Sequence, residues 1–349
     1  MEGISTALEN GLRISIDWLS FTITTTNSLE KVVKFLGYTL GDFDAMAHGG
    51  KGYKSMIRLN GFPISILYDG NDNMGIFVEV SGLAIPELIR SFKESLKASS
   101  PFGECYDLDF DTTVMRELLK AISRHGHISR IDLAIDDIGM NYFSPEDIYS
   151  FYHQNKIVKK FRSVERHDKS SKPGCTNGYT LYLGRRTSEI FLRIYDKQAE
   201  QNSKKGNSPI EYSWIRWELE CKGKKAQCIA SEFCKGMSLG FVTVGILANY
   251  MRIIESDDTN KSRCTVNEKW LSFLDGILPL KFSYISQEKT LDDKKEWVIR
   301  QVMPTLAAII VSDGGCLDFI DQNLPSGFIR MKKSLLNLLP KDCKDLLIE

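Results

Sequence analysis

The sequence lacks an apolar run long enough to cross a bilayer. Its longest clean stretch, residues 305–311, lies between Pro304 and Asp313, far short of the ~18 residues a spanning helix needs. No secretory leader is visible either: Met1-Glu2-Gly3-Ile4-Ser5 has neither a basic nor an apolar region, so a cytoplasmic protein with no membrane partner is expected. The eight cysteines (105, 175, 221, 228, 234, 264, 316 and 343) form no CxxC pair and have no histidine at zinc-finger spacing. Reduced thiols are therefore expected, with Cys221, Cys228 and Cys234 as a weak zinc alternative. There is no internal repeat, no low-complexity tract and no Walker A sequence; Gly50-Lys-Gly-Tyr-Lys-Ser55 does not end in Gly-Lys-Ser/Thr. Excess charge is missing too, with 45 Lys+Arg against 45 Asp+Glu.

What remains is ordinary globular material. The chain has 349 residues, 42% of them hydrophobic and 10% aromatic, which argues against disorder, collagen and coiled coil. The length suits about two folding units.

The zero net charge conceals segregation. Residues 1–120 sum to −5, residues 121–225 to +6 and residues 226–349 to −1. Between Lys156 and Lys205 stand thirteen Lys/Arg and five Asp/Glu, interleaved with Tyr179, Tyr182, Phe191 and Tyr195. Basic side chains mixed with aromatics suit a phosphate backbone with unstacked bases. Lys159, Lys160, Arg162, Lys172, Arg185 and Arg186, with Arg130 and Arg216, are the candidate DNA contacts; a merely solvated loop is the alternative.

The pattern along the chain predicts an α+β fold, with a central, mainly antiparallel sheet flanked by helices and a helical C-terminal region. We expect three parts: an N-terminal α+β part over 1–120, a catalytic sheet with a basic segment and following helices over 121–284, and a helical region over 285–349. Strands are predicted at 15–24, 55–59, 64–68 and 75–80, and helices at 28–36, 86–96 and 112–123. Farther on, helices are expected at 226–233, 239–254, 267–275 and 292–312, with a kink at Pro304, then at 316–323 and 329–339.

Three central segments alternate as strands do. Residues 129–136 put Ile131, Leu133 and Ile135 on one face and Arg130, Asp132, Ala134 and Asp136 on the other. Residues 213–221 separate Ile215, Trp217 and Leu219 from Arg216, Glu218 and Glu220. Residues 189–197 gather Arg193, Tyr195 and Lys197, and 189–195 pair as a hairpin with 180–183. Neighbouring strands would crowd Asp132, Asp136, Glu218 and Glu220, which requires a compensating cation. Hard oxygen ligands suit Mg²⁺ or Mn²⁺; ion pairs with Arg130, Arg193 and Arg216 are the alternative. A tyrosine at position 195 can act as a nucleophile if its proton is removed, with Lys197 lowering the barrier electrostatically; simple packing is its alternative.

The run Thr180-Leu-Tyr-Leu-Gly-Arg-Arg-Thr-Ser-Glu-Ile-Phe-Leu-Arg-Ile-Tyr-Asp-Lys197 resembles the signature of the replication initiation factor family. Three blocks agree in order: Ile16-Asp-Trp-Leu-Ser-Phe-Thr22, Arg130-Ile-Asp-Leu-Ala-Ile-Asp-Asp137 and Ile215-Arg-Trp-Glu-Leu-Glu220. The segments 270–274 and 296–306 are also similar. The family includes rolling-circle plasmid initiators, filamentous-phage initiators and relaxases of integrative elements. The resemblance implies a metal-dependent endonuclease and strand transferase acting on origin DNA. By motif position Tyr195 attacks the scissile phosphate, leaving a 5′-phosphotyrosyl link and a free 3′-OH primer. Asp132 and Glu218 are the first candidate metal ligands, followed by Glu220, Asp17 and Asp136. Without a Walker A sequence, a host helicase and replication proteins are the implied partners, and a homodimer is a candidate assembly.

His125-Gly-His127 resembles the paired-histidine metal motif of another rolling-circle nuclease superfamily, but has Gly at its centre, so histidines near DNA phosphates are the expected role. Tyr182 and Tyr179 are candidates for a second tyrosine in termination, against ordinary packing. Two other functions compete: a primase- or polymerase-type nucleotidyltransferase, suggested by Asp132 and Asp136, and a non-catalytic DNA-binding repressor, suggested by the basic segment alone.

Overall fold

The computed structural model describes residues 5–99, 111–168, 179–203, 209–280, 291–331, 333–336 and 339. The chain divides into two compact units, 1–283 and 284–349.

The first unit is built on strands β1 (Ser5–Ala7), β2 (Arg13–Ile23), β3 (Phe43–Ala45), β4 (Ser55–Leu59), β5 (Ile64–Tyr68), β6 (Ile76–Ser81), β7 (Gly126–Ile138), β8 (Ile157–Lys159), β9 (Val164–Asp168), β10 (Tyr179–Leu183), β11 (Ile190–Asp196), β12 (Trp214–Lys222) and β13 (Met251–Ile253). Its helices are α1 (Leu29–Phe35), α2 (Ile85–Ser99), α3 (Asp111–His125), α4 (Pro145–His153), α5 (Lys197–Asn202), α6 (Gly223–Cys234), α7 (Leu239–Tyr250) and α8 (Glu268–Phe273). The main sheet runs β3-β4-β5-β6-β2-β7-β12-β11-β10-β9, with β1 beside the start of β2, and its pairings are antiparallel. β8 and β13 form a separate pair. The predicted α+β class, with an antiparallel sheet and flanking helices, is the observed one.

Period-two alternation gives the sheet one apolar face. Ile131, Leu133 and Ile135 of β7 and Ile215, Trp217 and Leu219 of β12 are buried there. Helices α3, α6 and α7 pack against the sheet, bringing Leu118 and Ile122, Ile229 and Phe233, and Val242 and Ile246 into the same core. Each such side chain contributes about 1.5–3 kcal/mol by leaving water. α8 adds Trp270 and Phe273 around Trp217, the ring of Phe273 lying 4.9 Å from that of Trp217. Polar side chains fix the helix starts: Ser28 caps α1, Ser144 and Asp147 form a reciprocal box at α4, and Asn267 caps α8.

The alternation of β2 changes phase midway. Ile14 and Ile16 are buried, and then Leu19, Phe21 and Ile23. The cause is a bulge between Ile16 and Trp18 opposite β7, which leaves Asp17 as the extra residue and turns both Asp17 and Trp18 to the polar side. At the far end of the same pairing Gly126 opens β7, and a Cβ there would come within 1.8 Å of the Thr22 carbonyl oxygen. Gly126→Ala must therefore push two backbones apart. We expect it to destabilise the chain by roughly 1–3 kcal/mol, read as a lower urea midpoint.

Several expectations need correction. The predicted 239–254 helix stops at Tyr250, because Met251 turns extended (φ −145°, ψ 146°) and enters β13. A segment apolar all round carries no period to separate helix from strand. His125 ends α3 and Gly126 begins a strand, so the His-Gly-His segment is divided between helix and sheet. The strand drawn through Lys197 ends at Asp196. The sequence pattern also missed β3, β8, β9 and α4.

The second unit is helical. α9 (Leu291–Trp297) passes through a π-helical stretch, Val298–Val302, into α10 (Met303–Ser312). The widened turn lies where the predicted Pro304 kink falls, since proline offers no N–H to the preceding turn. Gly314 and Gly315, both at positive φ, close α10 before α11 (Asp318–Ile329). The last expected helix, 329–339, is described as α12 (Lys333–Leu336); its remaining residues lie partly outside the described set. No described helix is long and apolar enough to cross a membrane.

Candidate active site

Three cross-strand rows make up the polar face at the centre of the sheet. Tyr195 stands opposite Arg216, and Arg216 opposite Asp136; Arg193 stands opposite Glu218; Glu220 stands opposite Asp132. The bulge in β2 adds Asp17. The structure thus assembles Tyr195, Arg193, Arg216, Arg130 and all five candidate carboxylates on one surface.

Each carboxylate meets a cation. Arg216 donates from Nε and Nη2 to the two Asp136 oxygens at 2.7 and 2.8 Å, and from Nη1 to Asp17 at 2.6 Å. Arg130 binds Asp132 through two nitrogens at 2.8 and 2.5 Å, reaches Glu220 at 2.8 Å and lies 4.9 Å over the Trp18 ring. Arg193 pairs with Glu218, and Lys222 with Glu220. The alternative of arginine ion pairs is therefore realised, but not at the surface: Asp132, Asp136, Arg216, Glu218 and Glu220 are all buried. Trp214 supports the row by donating its Nε1–H to Asp136 at 2.6 Å.

Tyr195 donates its hydroxyl proton to Glu218 Oε2 at 3.1 Å. On its other side Lys197 Nζ donates to the phenolic oxygen at 3.5 Å and to Glu200 at 2.7 Å. Lys197 gets there from the first turn of α5, whose start is capped by Asp196 accepting from the Ala199 N–H at 2.8 Å. The sequence signal was present: Asp after a strand is a strong helix N-cap. Burial, then the Glu218 charge, raises the Tyr195 hydroxyl above its ordinary value. Burial likewise raises Glu218, against the pull of Arg193. A carboxylate with raised proton affinity in contact with a phenol is placed to take its proton.

The acids fit a hard divalent ion in the chemistry of their oxygens. Asp132 is pushed up to about 7, first by burial, with Glu218 and Glu220 adding to the shift and Arg130 opposing it; such crowding favours a further cation. In the arrangement described, arginines occupy these oxygens, and among the described residues no three His, Cys, Asp or Glu are set to hold an ion. An ion here would compete with Arg130, Arg193 and Arg216 for these oxygens. Nor do the histidine pair or Cys221, Cys228 and Cys234 form such a group among the described residues.

The candidate DNA contacts separate. Arg130 and Arg216 spend their guanidinium groups on the acids. Lys159 sits in β8, half-buried, with Nζ donating to the Phe161 carbonyl at 2.7 Å, and Lys160 binds Asn249 at 2.5 Å. Arg162, Arg185 and Arg186 are exposed, and Lys172 lies outside the described residues.

Comparison with known proteins agrees with this architecture. The sequence profile of the replication initiation factor family matches residues 126–322. The chain is 26% identical over 353 residues to the "Putative DNA relaxase NicK" of Bacillus subtilis (strain 168), covering 98% of this chain and 94% of that one. It also superposes on the structure of a rolling circle replication initiator protein from Geobacillus stearothermophilus with a TM-score of 0.62 and 27% identity, covering 78% of this chain and 99% of the other. The matched segment holds β7, β11 and β12, the three strands that carry Tyr195 and four of its five carboxylates, and the chain belongs to the replication initiation factor family.

Proposed function

We propose that the chain initiates rolling-circle replication or transfer as a metal-dependent nicking and closing endonuclease, with Tyr195 as its nucleophile. The observation that carries the proposal is the hydroxyl of Tyr195, held between Glu218 at 3.1 Å and Lys197 at 3.5 Å on an arginine-lined face. In the forward step the phenolic oxygen bonds to the scissile phosphorus and its proton passes to Glu218. The bond from phosphorus to the 3′-oxygen breaks, and that oxygen leaves as a 3′-OH after taking up a proton from water. A 5′-phosphotyrosyl ester remains, whose retained bond energy allows resealing without ATP. Lys197 stabilises the developing phenolate. Arg193 pairs with Glu218 and keeps a buried Nε–H without a hydrogen-bond partner among the described residues; it is assigned to charge compensation beside the phosphate. Asp132 and Glu218, flanked by Glu220, Asp17 and Asp136, would hold Mg²⁺ or Mn²⁺, which when bound supplies charge to the phosphate oxygens. Strand separation is assigned to a host helicase, since the sequence has no Walker A motif.

The test is incubation of the full chain with supercoiled DNA carrying its own gene and flanks, with Mn²⁺, Mg²⁺ or EDTA. Relaxed circles with protein on the 5′ end and a polymerase-extendable 3′ end are expected only with metal. Binding without cleavage, on this DNA and on its single-stranded fragments, would point to a repressor; nucleotide incorporation without an adduct would point to a nucleotidyltransferase. Glu218→Gln is expected to lower the nicking rate by about 10²–10⁴-fold through loss of the proton acceptor and of a candidate metal ligand, measured in the same assay with DNA binding as the control.

A further inference from the structure

Beside Tyr195, the charged face of the sheet also carries aromatic rings. Tyr182 of β10 stands opposite Arg193, diagonal to Tyr195 on the same face, a separation of roughly 7–8 Å between such neighbours. Its half-buried ring touches two others: buried Phe191 with centroids 5.3 Å apart, and exposed His167 of the edge strand β9 at 4.3 Å with only 39° between planes. Arg186, from the loop joining β10 to β11, brings its guanidinium 5.5 Å from the Tyr182 ring and 5.9 Å from Phe191, and donates to the Tyr182 hydroxyl at 3.4 Å. Lys222 pins that loop by donating to the Arg186 carbonyl oxygen.

Phe191 is the floor, Tyr182 the platform, and His167 and Arg186 are planar groups packed against its ring. Nucleobases stack on such rings whatever their identity, because every base has a π-face, and arginine planes add to the stack. We propose that Tyr182 is a stacking platform for the base next to the scissile phosphodiester, flanked by His167 and Arg186, so that this face holds single-stranded DNA by its rings as well as by charge. The proposal rests on the nickase reading for the position of the scissile bond. It also assigns Tyr182 a role that needs its ring and not its hydroxyl, unlike a second nucleophile.

The experiment is fluorescence anisotropy of the full chain with fluorescein-labelled (dT)20 at one fixed salt concentration, comparing wild type with Tyr182→Phe, Tyr182→Leu and Tyr182→Ala. The ring-retaining Phe variant should bind within about twofold of wild type, while Leu and Ala should weaken binding by roughly 5- to 150-fold, the range of a lost base stack. Tyr182→Leu keeps apolar bulk against Phe191, so its loss of binding cannot be put down to a collapsed platform, and thermal melts of each variant check the fold. Binding unchanged in Leu and Ala, an equal loss in Phe, or no binding of (dT)20 by wild type overturns the stacking site. Nicking by wild type sorts the two ideas: nicking with no Tyr182 effect on binding sinks the platform alone, and ring-dependent binding without nicking sinks the nickase alone.

Discussion

Tyr195→Phe is expected to abolish nicking, by on the order of 10³-fold or more, while the protein stays folded and still binds DNA. The change removes one oxygen. The ring keeps its place on β11, and the lost hydrogen bond to Glu218 costs about 0.5–1.5 kcal/mol of stability at most. Glu218 is not orphaned, because Arg193 still pairs with it. Stability and activity are therefore expected to separate at this position. The measurement is the rate of relaxation of supercoiled DNA and the yield of protein-linked 5′ ends, beside a salt titration of binding whose slope should match that of wild type. Persistent nicking would move the nucleophile to another tyrosine on this face, and Tyr182 is the nearest by register.

Arg216→Ala should have the opposite profile, a loss of stability before anything else. Arg216 is buried and satisfies two carboxylates at once, Asp136 from two nitrogens and Asp17 from a third, with its guanidinium 5.4 Å from the Trp214 ring. Truncation takes from two acids on adjoining strands the guanidinium they share. Removing one partner of a buried ion pair costs about 3–5 kcal/mol, visible as a large drop in urea midpoint. Combining Arg216→Ala with Asp136→Asn should recover part of that loss, since the second change removes one of the stranded charges; strict additivity would show that the pair is not coupled. Arg216→Lys is expected to fall between, keeping the charge and losing the fork that meets both acids.

How much of this was legible beforehand depended on whether a local period carried it. The alternations in 129–136 and 213–221 sort core from polar face without error, and the antiparallel order of β7, β12 and β11 turns those faces into one surface. Ser28 and Asn267 announce their helices by side-chain chemistry alone. Period failed where geometry departs from it. A bulge cannot be seen in Ile-Asp-Trp-Leu, yet it decides that Asp17 and Trp18 share a side. Lys197 was placed beside Tyr195 by continuing a strand, whereas a capped helical turn brings it there by another route. Charged β9 lacks the apolar alternation of a half-buried strand because it lies at the sheet edge. The arginine on each acid is a tertiary fact, set by which strands become neighbours.

The strand order also has a consequence for how the protein is made. The bridge from Asp17 to Arg216 joins residues 199 apart in the chain, and β12 is the wedge that brings β11 up against β7. A ribosome therefore releases Tyr195 before Glu218, its hydrogen-bond partner, and a nascent chain ending short of residue 214 carries the first without the second. Contacts this distant in sequence close late and slowly. The row that holds Tyr195 is therefore complete only once β12 has joined the sheet.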